Sequence, residues 1–117
     1  MKTWDKLLVS LLDPILPVTA EPYNEPISVP CITYRMSNNT RVVEGDDLRY
    51  SGVYYTIKLH IKDLEEAEDY LQQIDTTLYM NRFFREGFNH IIVGDVHEFV
   101  LTYRVQTRER LFERNDT

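Results

Sequence analysis

The sequence predicts an α+β fold: a mostly antiparallel sheet packed by two main helices. Three observations carry this. Val53 to Lys62 alternates apolar and polar residues without a break, the period-two pattern of a strand with one covered face. Leu64, Ala67, Leu71, Ile74 and Leu78 then step by three and four, which draws one apolar stripe along a helix. Phe88 to Val93 and Val96 to Val105 flank Gly94-Asp95, a two-residue hairpin signal. Strands made next to each other in sequence pair antiparallel, and helices with a single apolar stripe must bury it against them.

The elements follow in order. Trp4, Leu7, Leu8, Leu11 and Leu12 recur at helical spacing, and Thr3 can cap the helix they define. Pro14 ends it, because the residue before a proline avoids helical geometry. All five prolines fall in residues 14–30, which predicts a stiff, extended arm laid across the domain surface. Cys31 to Met36 reads as a strand, with Ile32, Tyr34 and Met36 on one face and Cys31, Thr33 and Arg35 on the other. Ser37-Asn38-Asn39-Thr40 and Gly45-Asp46-Asp47 are turn signals. Val42 and Val43 between them suggest a short strand, so residues 31–52 read as a hairpin with an excursion.

In the long strand, Val53, Tyr55, Ile57, Leu59 and Ile61 take the core face, while Tyr54, Thr56, Lys58, His60 and Lys62 point outward. Asp63 caps the second helix, with Glu66 at capping-box spacing. Five acids, Asp63, Glu65, Glu66, Glu68 and Asp69, sit at its positive end. The Gly94-Asp95 turn sets Val93 opposite Val96 and Ile92 opposite His97. Phe88, His90, Ile92, His97, Phe99, Leu101 and Tyr103 then share the side expected to face the core. Residues 106–117 mix Arg and Glu and read as a frayed helix or a flexible tail.

The 117 residues fit one domain, 1–117, and a 43% apolar share supplies its core. Thirteen basic residues against nineteen acidic give a net charge of −6. That argues against a surface built to neutralise phosphates. The single Cys31 makes neither an internal disulfide nor a multi-cysteine metal site. The opening Lys2, Asp5 and Lys6 do not read as a secretory signal. No run approaches the roughly 20 apolar residues of a membrane span. The expectation is a reducing cytosol with no membrane partner. Asn38-Asn39-Thr40 and Asn115-Asp116-Thr117 read as chance glycosylation matches.

The sequence carries no local catalytic motif. Gly45, Gly52, Gly87 and Gly94 form no phosphate-binding fingerprint. Cys31 reads as a small buried thiol rather than a nucleophile. His90 and His97, diagonal across the last hairpin, supply two possible metal ligands where a structural site wants about four. The acids of the second helix read as a solvated face, and Arg104, Arg108, Arg110 and Arg114 are compensated by Glu109 and Glu113. No cofactor, metal or catalytic residue is expected.

Over its first hundred residues the chain resembles the tail-terminator, or tail-completion, proteins of long-tailed bacteriophages. The resemblance lies in an opening helix (Thr3 to Leu12), a proline-marked arm and a strand at Pro30 to Tyr34. It continues through a variable excursion, a strand from Tyr54 to Lys62 running straight into a helix that opens Asp63 to Ala67, and a Gly87-Phe88 step before a last strand ending at Arg104. The resemblance implies a non-enzymatic virion protein, assembled in the host cytoplasm. It implies a ring, typically hexameric, that caps the major tail tube protein, ends its polymerisation and joins the head connector. Genomic DNA would pass through without specific binding. Under this reading Tyr54, Thr56, Lys58 and His60 are the candidate self-association surface. Asp63, Glu65, Glu66, Glu68 and Asp69 are a candidate acidic lumen face, with the excursion at 37–52 as another. A head-closure protein, a small binding module centred on His90 and His97, and a small enzyme without a local motif are the competing readings.

Overall fold

The computed structural model describes residues 3–44 and 47–105; for Thr3 and for 37–44 and 47–52 the description is of the backbone alone. The elements run α1 (Thr3–Leu12), β1 (Val18–Ala20), β2 (Cys31–Glu44), β3 (Asp47–Ile61), α2 (Leu64–Tyr79), β4 (Phe83–Val93) and β5 (Val96–Val105). The five strands form one sheet in the order β1-β2-β3-β5-β4. The pairings β2–β3, β3–β5 and β5–β4 are antiparallel, and β1–β2 is parallel. This is the α+β architecture expected. No helix among the described residues is long and apolar enough to cross a membrane.

Both helices cover one face of the sheet. Every expected core residue of β3 is buried: Val53, Tyr55, Ile57, Leu59 and Ile61. They stand opposite Val105, Tyr103, Leu101, Phe99 and His97 of β5. Leu8 and Leu12 of α1 and Ala67, Ile74 and Leu78 of α2 close over them. Leu71 of the predicted stripe is half-buried, and Leu64, at the helix start, is exposed. The Asp63 side chain accepts the Glu65 backbone N–H at 2.9 Å and so caps α2.

Two tyrosines pin the helices to the sheet. Tyr55 and Tyr103 are cross-strand neighbours, both fully buried. The Tyr55 hydroxyl donates to Asp5 of α1, and the Tyr103 hydroxyl donates to Asp75 Oδ1 of α2 at 2.8 Å. A buried phenol needs an acceptor, and each helix supplies one carboxylate. Burial first, and the hydrogen bond to an anion second, hold both phenols protonated far above their ordinary range.

Four sequence expectations change. The arm at 14–30 is not entirely irregular: Val18–Ala20 pairs parallel with Ile32, Thr33 and Tyr34. The Pro17 carbonyl and Glu21 N–H extend that pairing at 2.9 and 2.8 Å. Three residues among prolines are too few to show a period. Ser37 to Thr40 is not a turn. β2 runs through it, and a register shift between Met36 and Asn38 absorbs the irregularity. Of the second turn signal, Gly45 and Asp46 lie outside the described residues, while Glu44 pairs with Asp47 across it. β4 begins at Phe83, five residues before Phe88, because a register shift between Arg85 and Gly87 breaks the alternation there. Finally, Phe88, His90 and Ile92 share the helix-side face of the sheet but are exposed. The helices cover the β5 residues of that face (Phe99, Leu101 and Tyr103) and stop short of distal β4. The tail at 106–117 lies outside the described residues.

Candidate functional site

The face of the sheet opposite the helices carries the first predicted surface. Tyr54, Thr56 and Lys58 are half-buried there, and His60 is only 4% exposed. His60 is therefore not on an open surface, contrary to the sequence reading. The alternation put it outward, but the arm folds over that part of the face. Glu21 of the arm accepts from the Thr33 hydroxyl at 2.8 Å and lies 3.6 Å from both Lys58 Nζ and Arg35 Nε. His60 Nε2 lies 2.8 Å from Thr33 Oγ1, and its Nδ1 lies 3.6 Å from Glu98 Oε2.

Proton bookkeeping fixes the roles. Thr33 has one hydroxyl proton, and Glu21 takes it. His60 Nε2 must then donate to Thr33 Oγ1. Hydroxyl, imidazole and carboxylate are neighbours, the residue types a nucleophile would draw on. However, Thr33 is fully buried and its proton is committed to Glu21, so no substrate reaches it. The network clamps the arm to the sheet. Burial pushes the His60 imidazole below its usual range, against a smaller upward pull from Glu98 and Glu21.

The acids of α2 behave as a solvated band. Asp63, Glu65, Glu66, Glu68 and Asp69 are all exposed; Asp63 caps the helix and Asp69 accepts from Gln73 at 3.0 Å. Cys31 is buried, and burial pushes its thiol up, away from the thiolate a nucleophile needs. His90 and His97 meet more closely than their diagonal spacing suggested: Nε2 and Nδ1 are 2.9 Å apart. His90 also stacks on Phe99 at 4.3 Å and 14°. Among the described residues, no group of three or more His, Cys, Asp or Glu could hold a metal ion.

The strongest candidate includes Phe88 and Ile92, which alternation assigns to the core side. β4 is an edge strand, and its two halves differ. The first half is guarded by charge: Arg85 lies 4.0 Å from Asp75, and Arg104 Nε donates to Glu86 at 2.6 Å. Arg85 and Arg104 also lie over the Phe88 and Phe84 rings. Apart from Arg85 over Phe88, the second half has no such guard among the described residues. Phe88 is 53% exposed, Ile91 42%, Ile92 61% and Val93 55%. Phe88 and Ile92 lie on the helix-side face, Ile91 and Val93 on the other. An uncharged edge strand with apolar residues on both faces is a template for another strand. The signal was present in the sequence as Ile91-Ile92-Val93, three consecutive apolar residues beside the hairpin turn. A strand with one wet face does not write that pattern.

No protein-family model matches the chain, and no curated protein matches it in sequence.

Proposed function

We propose that this protein is a non-enzymatic assembly subunit that works by docking against copies of itself, as the tail terminator of a long-tailed bacteriophage. In this role a ring of subunits, six by the resemblance, sits on the last ring of the tail tube, stops its growth and offers a surface to the head connector. The distal half of β4, which no element among the described residues covers, carries the reading. A contiguous apolar stretch open on both faces of an edge strand is a feature of a protein–protein contact. The order of elements, from opening helix through arm and long strand to α2 and the closing hairpin, supports it. So does the solvated acidic band at the start of α2, which suits a wall that DNA slides past without sticking.

The test is electron microscopy of particles made without the gene. Overlong or headless tails are expected. Full heads that leak DNA would assign the protein to head closure, and normal particles would remove it from the neck altogether. A second arm adds the purified protein to tube subunits polymerising in vitro, where it should shorten the tubes.

A further inference from the structure

His90 and His97 stand on neighbouring strands of the last hairpin, on the helix-side face. The Gly94-Asp95 turn sets Val93 opposite Val96, so Ile92 faces His97 and His90 faces Phe99. The two imidazoles are thus diagonal neighbours. They lean together until His90 Nε2 lies 2.9 Å from His97 Nδ1. His90 is exposed and His97 half-buried, so a small ion can reach both nitrogens from solvent.

Phe99 is the floor beneath them. Its buried ring stacks against His90 at 4.3 Å and 14°, and lies within 22° of the His97 plane at 6.4 Å. Phe88 packs on the same ring at 6.1 Å. An aromatic floor on a paired hairpin holds both imidazoles before anything binds, which cuts the ordering cost of binding.

A hydrogen bond between two ring nitrogens needs a proton on one and a lone pair on the other. Neutral imidazole nitrogen is also the ligand that divalent transition metals take. With metal–nitrogen bonds of about 2.0–2.1 Å, two ligands at a right angle stand about 2.9 Å apart, and two at the tetrahedral angle about 3.3 Å. The separation of 2.9 Å is the right-angle value. It belongs to the square or tetragonal geometry of Cu(II) and Ni(II).

We infer that His90 Nε2 and His97 Nδ1 chelate a divalent transition-metal ion, Cu(II) foremost, with water in the remaining positions. The ion takes the place of the shared proton, which passes through solvent to the other nitrogen of its ring. Both lone pairs then turn from each other to the ion. Two protein ligands make an open chelate and not the closed cage of a structural site. Among the described residues no third His, Cys, Asp or Glu completes a set. The net charge of −6 favours a cation. Once bound, the ion ties distal β4 to β5, its one partner strand among the described residues. This holds whether or not the protein caps a tube.

Cu(II) titrated into the untagged full chain tests it, read by calorimetry and electron paramagnetic resonance. One equivalent should bind, with two imidazole nitrogens in the equatorial plane. His90→Ala and His97→Ala should each lose roughly a hundredfold in affinity, the gain from joining two ligands in one site, with circular dichroism unchanged. The chain has three histidines. The third, His60, is buried on the other face of the sheet, so His60→Gln should bind as the wild type does. No binding, a spectrum with one nitrogen, or wild-type affinity in either alanine variant overturns the inference. Equal binding by all three variants would mean an adventitious ion only and overturns it too. Should an alanine variant fail to fold, nuclear magnetic resonance of the wild type with Zn(II) replaces it. The ring nitrogens of His90 and His97 should shift while those of His60 stay. Unmoved His90 and His97 signals would overturn the site.

Discussion

β3 from Val53 to Ile61 and β4 from Phe88 to Val93 both present apolar residues to the helix side of the same sheet. Only the first is covered. Its five core residues are at most 1% exposed, because it is the central strand and both helices lie over it. Phe88 and Ile92 are more than half exposed, because the strand lies at the rim, beyond the reach of α2. The difference teaches that an apolar face records a need for cover and not the source of it. For β3 the cover is in the same chain. For distal β4 no cover lies among the described residues.

Matched truncations should break or sustain this contrast. Ile57→Ala removes a fully buried side chain and should cost about 2–5 kcal/mol, the range for large-to-small core changes. Ile92→Ala removes the same atoms from an exposed position and should stay within about 0.5 kcal/mol. Urea unfolding of dilute protein measures both. Equal costs would mean that β4 is covered in the monomer.

The turn between β4 and β5 offers a more local probe. Gly94 has φ of +65° with no atom within 4 Å of an added Cβ, so Gly94→Ala meets no clash and carries only the left-handed backbone penalty, about 1–2 kcal/mol. Distal β4 is held by β5 on one side alone. The loss should therefore appear first as faster amide exchange at Phe88 to Val93, with β3 amides following only on global unfolding. Uniform acceleration along both strands would show that the edge is no weaker than the centre.

Tyr103→Phe samples the covered region. It removes the hydroxyl that ties β5 to Asp75 of α2 and should cost about 1.5 kcal/mol, the low end for a bond to a charged group. Asp75 keeps Arg85 at 4.0 Å and partial solvent access, which limits the loss. A cost near zero would mean that the helix is held by its apolar stripe alone.

Much of this fold was legible in the sequence. α1, the core face of β3, the cap at Asp63 and the register of the last hairpin follow from periodicity and turn chemistry, which act over a few residues. What escaped depends on residues far apart in the chain. Nothing local marks Asp5 as the acceptor for Tyr55, fifty positions away, or Asp75 as the acceptor for Tyr103. β1 is too short to show a period, and a register shift hides the start of β4. The candidate site fared least well. Strict alternation puts His60 outward, but Glu21 and the rest of the arm roof it over. The same rule puts Ile92 inward, but no element among the described residues reaches it. Alternation distinguishes the two faces of a strand and is silent on what lies against either.

His60 sets the smallest expected effect and the one most specific to the roofed face. Burial lowers its proton affinity in the fold, whereas the unfolded chain titrates near the ordinary value of about 6.5. As pH falls through that value the unfolded state binds a proton that the folded state refuses, so stability falls. The contribution is complete above about pH 6.5 and is lost progressively as acidification approaches the depressed folded value. Glu21 and Glu98 face the ring and oppose the effect, while Lys58 reinforces it. His60→Gln can keep a donor to Thr33 while removing the titration. It should flatten the stability profile between about pH 5 and 6.5, where carboxylates contribute little slope. An unchanged slope in this variant would mean that His60 is protonated as readily inside the fold as outside, and that the arm does not seal the face it crosses.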